Sequence, residues 1–219
     1  MPTNSGGRGT NRSYTGAMRV SSAPNLPNAS PDSLRLGPQA VLIPVKSFAD
    51  AKRRLGSALD DGERQALVRK MAEQVLAAAA PLPVAVVCDD PHVAAWAREH
   101  HALVVWEPGR GLNGAVEEGV ARLSEMSVQQ VTVAHGDLPM AIGIGTLPPF
   151  EGITLVPDRH GDGTNVIRLP SDCGFRFSYG PGSFLRHREE CARLGLPLRI
   201  ANDPLLAFDV DSPADLELI

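Results

Sequence analysis

At 219 residues, with 43% hydrophobic residues, the chain is long enough to bury the core of one ordinary domain and still carry a tail. Its formal charge of −4 mixes both signs and contains no basic block, which argues against a nucleic-acid backbone or an anionic membrane as partner. The three cysteines, Cys88, Cys173 and Cys191, are widely spaced, as expected of a cytoplasmic protein rather than a disulfide framework or a zinc site. No apolar run reaches the roughly 18 residues of a spanning helix, and none near the start resembles a signal peptide.

Residues 1–38 are rich in Gly, Ser, Asn and Pro and lack apolar periodicity, so a disordered tail is expected there, ahead of a single domain over 39–219. The domain opens with a β-branched apolar run at 40–46, suited to a buried parallel strand, although Pro44 disturbs one position. Ala66, Leu67, Met71, Val75 and Leu76 recur at helical spacing within 60–80, and a strand is expected at 84–87. The alternation continues with a helix at 92–101, a strand at 103–105, a helix at 113–126 and a strand at 130–134. The second half predicts short strands at 153–156 and 165–169, a helix at 183–194 and a strand at 205–210. Strands interleaved with helices imply an α/β fold with a mixed, mostly parallel sheet.

Ligands of such sheets bind beyond the carboxyl ends of the strands, so polar residues directly after strands are the ones to weigh. After the first strand come Lys46, Lys52, Arg53 and Arg54, including two of the chain's three lysines. Such a cluster can hold a triphosphate and neutralise charge on departing pyrophosphate, and the same composition also describes a solvated basic loop. After the strand at 130–134, His135-Gly136-Asp137-Leu138-Pro139 presents an Asp suited to a hard cation such as Mg2+, or equally to a helix N-cap. Near the C-terminus, Asp209 and Asp211 would share one side of an extended segment, where a divalent metal would neutralise their mutual repulsion. Asp215 reads instead as the acidic first turn of a terminal helix that begins with Ser212 and Pro213. Two glycine-bearing loops, at 158–165 and 179–183, are either plain turns or anion sites built from backbone N–H groups and hydroxyls. His135 and His160 lie near these places without a second histidine at metal-ligand spacing.

In this order and spacing, Val45-Lys46 and Ala51-Lys52-Arg53-Arg54-Leu55, then Gly111-Leu112-Asn113, Gly136-Asp137-Leu138-Pro139, Gly163-Thr164-Asn165, Gly180-Pro181-Gly182-Ser183-Phe184 and Asp209-Val210-Asp211-Ser212-Pro213, the chain resembles the 2-phospho-L-lactate or phosphoenolpyruvate guanylyltransferases of coenzyme F(420) biosynthesis. The resemblance runs from about Ala40 to the C-terminus. It implies a Rossmann-like, glycosyltransferase-A-type nucleotidyltransferase fold, with GTP and a small phosphorylated carboxylic acid as substrates. It further implies Asp137, Asp209 and Asp211 as Mg2+ ligands and Thr164, Gly180 and Ser183 as the cradle for the acceptor's carboxylate and phosphate. Lys46, Lys52 and Arg54 would then receive the pyrophosphate. Asn113 would either touch the nucleotide or cap the helix that follows.

Two departures stand out: Arg53, where Ser or Thr is expected, and the apolar, glycine-containing stretch 140–149, which is expected to alter the wall of the acceptor pocket. Other readings are a nucleotidyltransferase acting on a sugar phosphate or making a cytidyl or molybdopterin product, and a non-catalytic nucleotide-binding regulator. The first strand is not followed by a Gly-rich loop with Arg-Met-Gly, and clustered carboxylates are costly to keep without a metal. The sequence leaves a homodimer open.

Overall fold

In the computed structural model, which describes residues 36–219, the first apolar run forms β1 (Gln39–Pro44), a central strand of a seven-stranded sheet. The tail expected over 1–38 falls outside the described residues apart from Leu36, Gly37 and Pro38. Both faces of β1 are covered, which is why its run is continuously apolar: Val41 and Ile43 enter one core and Ala40 and Leu42 the other. The strand ends at Pro44, short of the expected Lys46, and the next backbone N–H, on Val45, donates to Val87.

The remaining strands are β2 (Val84–Cys88), β3 (Leu103–Trp106), β4 (Gln130–Ala134), β5 (Ile153–Pro157), β6 (Thr164–Pro170) and β7 (Leu198–Ile200). They lie in the order β3-β2-β1-β4-β6-β5-β7. Neighbours run parallel except where β6 meets β4 and β5, so β6 alone is reversed. This is the mixed, mostly parallel sheet that the alternation predicts.

Helices α1 (Asp61–Ala78) and α2 (Pro91–Glu99) cover one face through Val68, Met71, Val75, Val93 and Trp96. Helices α3 (Gly111–Glu125) and α4 (Ser183–Leu194) cover the other through Val116, Val120, Leu123 and Cys191. Their starts follow local chemistry: Asp60 and Glu63 form a reciprocal capping box on α1, and Asp90 with Pro91 opens α2. Gly119 lets α3 lie close to β1, since a Cβ there would stand 2.6 Å from Leu42 Cδ2.

Two expectations are corrected. Residues 205–210 are not a strand: Asp203 accepts the N–H groups of Leu205 and Leu206 through its side chain and that of Ala207 through its carbonyl, so a turn uses the donors a ladder would need. The edge position belongs to β7, a strand of three residues after Pro197 and too short to show alternation. The apolar stretch 140–149 lies away from the acceptor side. Ala141 and Ile144 are buried, Gln74 of α1 donates to the Ala141 carbonyl at 2.7 Å, and a 3₁₀ turn at Ile144–Thr146 seats against the end of α1.

That seating leaves no room for a side chain at Gly145, whose Cβ would fall 1.9 Å from the Ala79 carbonyl oxygen. Gly145→Ala is expected to lower unfolding free energy by about 2 to 3 kcal/mol in a urea titration, because backbone rather than a flexible side chain must yield.

The C-terminal segment is anchored by Asp215, in the 3₁₀ turn Pro213–Leu218. Its Oδ2 accepts the N–H groups of Asp211 and Ser212 at 2.9 and 2.7 Å, and its Oδ1 accepts from Arg159. Burial alone would raise this carboxyl's pKa, but those N–H groups and the Arg159 guanidinium bring it down to about 2. Asp215→Ala should cost about 2 kcal/mol of stability by the same titration, and Asp215→Asn less, since an amide oxygen still accepts.

Candidate active site

The first strand's chain leaves toward β2 on one side, while the return through α3 places β4 on the other, so the topological switch point lies between β1 and β4. The loop after β1 carries Lys46 and Lys52 to this crevice, and the loop after β4 carries His135 and Asp137. Lys52 stands in the left-handed region with φ of 53°, a conformation uncommon for a residue with a side chain, just before the 3₁₀ turn Arg53–Ser57. From there Lys52 Nζ donates to Asp137 Oδ2 at 2.5 Å and to Asp211 Oδ1 at 2.6 Å.

Asp209 joins this pair across the same cleft. Although the expected strand there is absent, alternation persists: Phe208 and Val210 are buried in the core and the aspartates between and after them line the cleft. The Val210 N–H donates to the Asp137 carbonyl at 3.4 Å, tying the segment to the end of β4. Asp137 begins no helix, so the N-cap reading is set aside in favour of a side chain facing the cleft.

Electrostatics separate the carboxylates. Burial would raise the Asp137 pKa, but the Lys52 ammonium, with His135, pulls it below the usual carboxylate range. Burial pushes Asp209 up to about 6, reinforced by the charges on Asp137 and Asp211 and partly relieved by Lys52. Burial disfavours the Lys52 ammonium, yet Asp137 and Asp211 outweigh it and raise its pKa. Lys52 is therefore firmly charged and engaged with both carboxylates at the edge of the cleft. Lys46 and Arg54 are exposed, on the walls of the clefts described next.

Two clefts meet at Leu112, His135 and Asp137. One, of about 360 Å³, runs over the β1 loop past Lys46, Asp50 and Lys52. The other, of about 640 Å³, runs past Arg54, Thr164, Gly180, Ser183, Asp209 and Asp211. A charged knot thus sits at the junction of a basic half and a hydroxyl-bearing half.

The loops of the second half are built by their own acidic side chains. Asp158 accepts the N–H groups of His160, Asp162 and Gly163, and Asp162 accepts that of Gly182. The N–H groups of Ser183 and Phe184 donate to the carbonyls of Gly180 and Asp162. The N–H groups of Gly182, Ser183 and Phe184 at the start of α4 are thus engaged within the protein, while Ser183 and Thr164 line the cleft with their hydroxyl-bearing side chains. Gly180 adopts φ of 113°, where a side chain would be strained. Asn113 lies in the first turn of α3 and does not cap it. Its side-chain carbonyl accepts the Tyr179 N–H at 2.7 Å, so it holds the loop that leads into α4.

Three buried polar atoms have no partner among the described residues: Asp137 Oδ1, His135 Nε2 and the Tyr179 hydroxyl. All three residues line the larger cleft. Tyr179 escaped the sequence reading because it is packed like a core aromatic, 4.7 Å from the His135 ring, and only its oxygen is polar. Among the described residues no three His, Cys, Asp or Glu side chains close into a metal cage. The aspartates expected as three magnesium ligands are neighbours in one cleft, with Lys52 between two of them. An open set of one or two carboxylates suits Mg2+, which keeps waters and takes substrate phosphates, and the unpartnered Asp137 Oδ1 is an acceptor facing that need.

No helix among the described residues is long and apolar enough to cross a membrane. The model of the family described as "Guanylyl transferase CofC like" matches residues 39–219. A phosphoenolpyruvate guanylyltransferase from Sphaerobacter thermophilus is 35% identical over 186 residues, covering 80% of this chain and 89% of that protein. One from Conexibacter woesei is 36% identical over 191 residues, covering 81% of this chain and 85% of its own. Among solved structures, a protein from Desulfovibrio desulfuricans G20, provisionally described as a nucleotide-diphospho-sugar transferase, superposes with a TM-score of 0.69 at 17% identity, over 84% of this chain and 86% of that one. A CMP:2-keto-3-deoxy-manno-octonic acid synthetase in complex with CTP superposes with a TM-score of 0.54 at 14% identity, over 82% of this chain and 95% of the other. These likenesses place the fold among the nucleotidyltransferases, and with the family match and relatives of this identity the chain belongs to the CofC-like guanylyltransferases.

Proposed function

We propose that the chain transfers GMP from GTP to a three-carbon phospho-acid, releasing pyrophosphate, and that it serves coenzyme F(420) biosynthesis. The observation that carries this reading is the knot of Asp137, Asp211 and Lys52 at the junction of a basic cleft and a hydroxyl-bearing one. The family match and the relatives named phosphoenolpyruvate guanylyltransferase support the same reading. Phosphoenolpyruvate, 2-phospho-L-lactate and 3-phospho-D-glycerate all present a carboxylate and a phosphate a few ångströms apart, which suits the Thr164 and Ser183 hydroxyls better than the hydroxyl-rich face of a sugar.

In the reaction, a phosphate oxygen of the acceptor attacks the α-phosphorus of GTP, and the bond from that phosphorus to the oxygen bridging to the β-phosphate breaks as pyrophosphate leaves. The attacking oxygen is already ionised near neutral pH, so no general base is needed and catalysis rests on placement and charge neutralisation. Lys46, on the wall of the smaller cleft, and Arg54, on the wall of the larger, bind the phosphates of the substrates. Lys52 keeps the aspartates close in the absence of ligand. Asp137, with Asp209 and Asp211, would hold Mg2+, which supplies positive charge against the transferring phosphoryl group.

Pyrophosphate release from GTP with each of the three acids and with a hexose 1-phosphate tests the assignment. The acids are expected to support turnover and the sugar phosphate not to; preference for the sugar would overturn the acceptor class. Asp137→Asn and Asp211→Asn should each reduce turnover by about a hundredfold or more, because an amide keeps the volume and loses the charge. Ser183→Ala should raise the acceptor KM by about tenfold or more with little change for GTP. Lys52→Met leaves the carboxylates to repel one another, so its melting temperature should fall without divalent cation and recover more on adding Mg2+ than that of the unaltered protein.

A further inference from the structure

Helix α4 places His187 wholly buried beneath the acceptor-side loops, with 0% exposure. Its ring sits among Phe175, Phe177 and Tyr179, at centroid distances of 5.6, 6.5 and 5.0 Å. Each ring nitrogen has one polar neighbour. The Ser178 backbone N–H donates to Nε2 at 3.0 Å, and Nδ1 lies 3.0 Å from the Thr164 hydroxyl oxygen.

A backbone amide can only donate, so Nε2 must present its lone pair and cannot carry a proton. Burial, with Arg186 and His135 nearby, lowers the ring's pKa to about 4, so at neutral pH the ring is uncharged and its single proton is on Nδ1. That proton points at Thr164 Oγ1, which therefore accepts. A hydroxyl that accepts from one side must direct its own hydrogen elsewhere, and among the described residues His187 is the only side-chain hydrogen-bond partner of this one. Thr164 lines the larger cleft.

We infer that His187 is a positioning residue, locked by Ser178 in one tautomer so that its Nδ1–H takes one lone pair of the Thr164 hydroxyl and leaves that hydroxyl's own hydrogen for the acceptor cleft. Such a group, with its hydrogen offered to the cleft and one lone pair already taken, favours a ligand atom with lone pairs and no hydrogen, a carboxylate or phosphate oxygen, over a ligand hydroxyl that brings a hydrogen of its own. The inference rests on the reading that a phospho-acid occupies this cleft, and it adds the direction in which one hydrogen bond runs.

The tautomer is read without any substrate, from long-range 1H–15N correlations of the histidine rings at neutral pH. A protonated Nδ1 and bare Nε2 on His187 are expected; a proton on Nε2, or an imidazolium, overturns the inference whatever the acceptor proves to be. The functional arm is a double-mutant cycle with Thr164→Val and His187→Phe, which keeps the ring but removes both nitrogens. With phosphoenolpyruvate and GTP, each single change should raise the phosphoenolpyruvate KM by about tenfold and leave the GTP KM unchanged, while the second change adds little to the first. Additive effects, or equal shifts in both KM values, mean that His187 only supports the fold and overturn the inference.

His187→Asn, which restores a donor near the Nδ1 position, should recover part of the acceptor KM, and no recovery counts against the donor role. Should His187→Phe fail to fold, Thr164→Val, the Asn variant and the ring spectra decide alone. If none of the acids supports turnover, the proposed reaction fails separately, and inorganic phosphate titrated by calorimetry takes the acceptor's place. About tenfold weaker phosphate binding in Thr164→Val and His187→Asn supports the inference, and unchanged binding overturns it.

Discussion

Everything at the mouth of this sheet is arranged around one electrostatic difficulty: three aspartates face one cleft, and burial makes the charges of Asp137 and Asp209 more costly than in water. The protein does not relieve this by protonating Asp137 or by moving the carboxylates apart. It brings Lys52 from a left-handed backbone position into contact with two of them, and lets Asp209 carry the remaining strain as a raised pKa. One ammonium cannot fully balance three carboxylates, and one oxygen of Asp137 stays unpartnered in the interior. The site is thus held together by an attraction that is incomplete until more positive charge arrives, the condition expected of a place built to receive a cation together with phosphates.

Rigidity around the knot comes from side chains whose hydrogen bonds are spent within the protein. Asp215 fixes the Asp211 backbone, Asn113 fixes Tyr179, Asp158 and Asp162 fix the loops before β6 and α4, and His187 fixes the Thr164 hydroxyl. Most of these are hydrogen bonds from backbone N–H groups to carboxylates or carbonyls, stronger than neutral pairs where the acceptor is charged. A reaction that asks for placement rather than for a general base gains most from this kind of support, because groups already in position need no reorganisation as charge shifts.

The sheet was largely legible because its central strands are buried on both faces and its first two helices begin at recognisable caps; the expected strand at 130–134 and helix at 183–194 match the observed elements. Position after a strand was enough to pick out Lys46, Lys52 and Asp137 as facing the cleft. What failed was local pattern without its tertiary partner. Residues 205–210 look like a strand because alternate side chains are apolar, but Asp203 and Pro204 turn the chain and no neighbouring strand supplies a ladder. The role of Asn113 could not be read because its partner, the Tyr179 N–H, lies 66 residues away. Lys52 was legible by position while its carboxylate partners, 85 and 159 residues away, were not, since a lysine's charge says nothing of which anion it meets.

The glycine loop before α4 shows most clearly how a sound general rule can mislead. A helix N-terminus does offer free N–H groups to an anion, but only while nothing in the protein reaches them first. Here the Gly180 and Asp162 carbonyls and the Asp162 carboxylate already accept from the chain's own entry into the helix. On the proposed reading, recognition then rests more on the hydroxyls of Thr164 and Ser183, both of which line the cleft. A backbone donor would bind an anion from a direction fixed by the helix axis, whereas a hydroxyl can rotate, and a rotating hydroxyl both donates and accepts. Selectivity for an anionic oxygen then requires something to remove that freedom. The buried imidazole of His187 does so for Thr164, which is why a histidine that touches no ligand still belongs to the chemistry of the cleft.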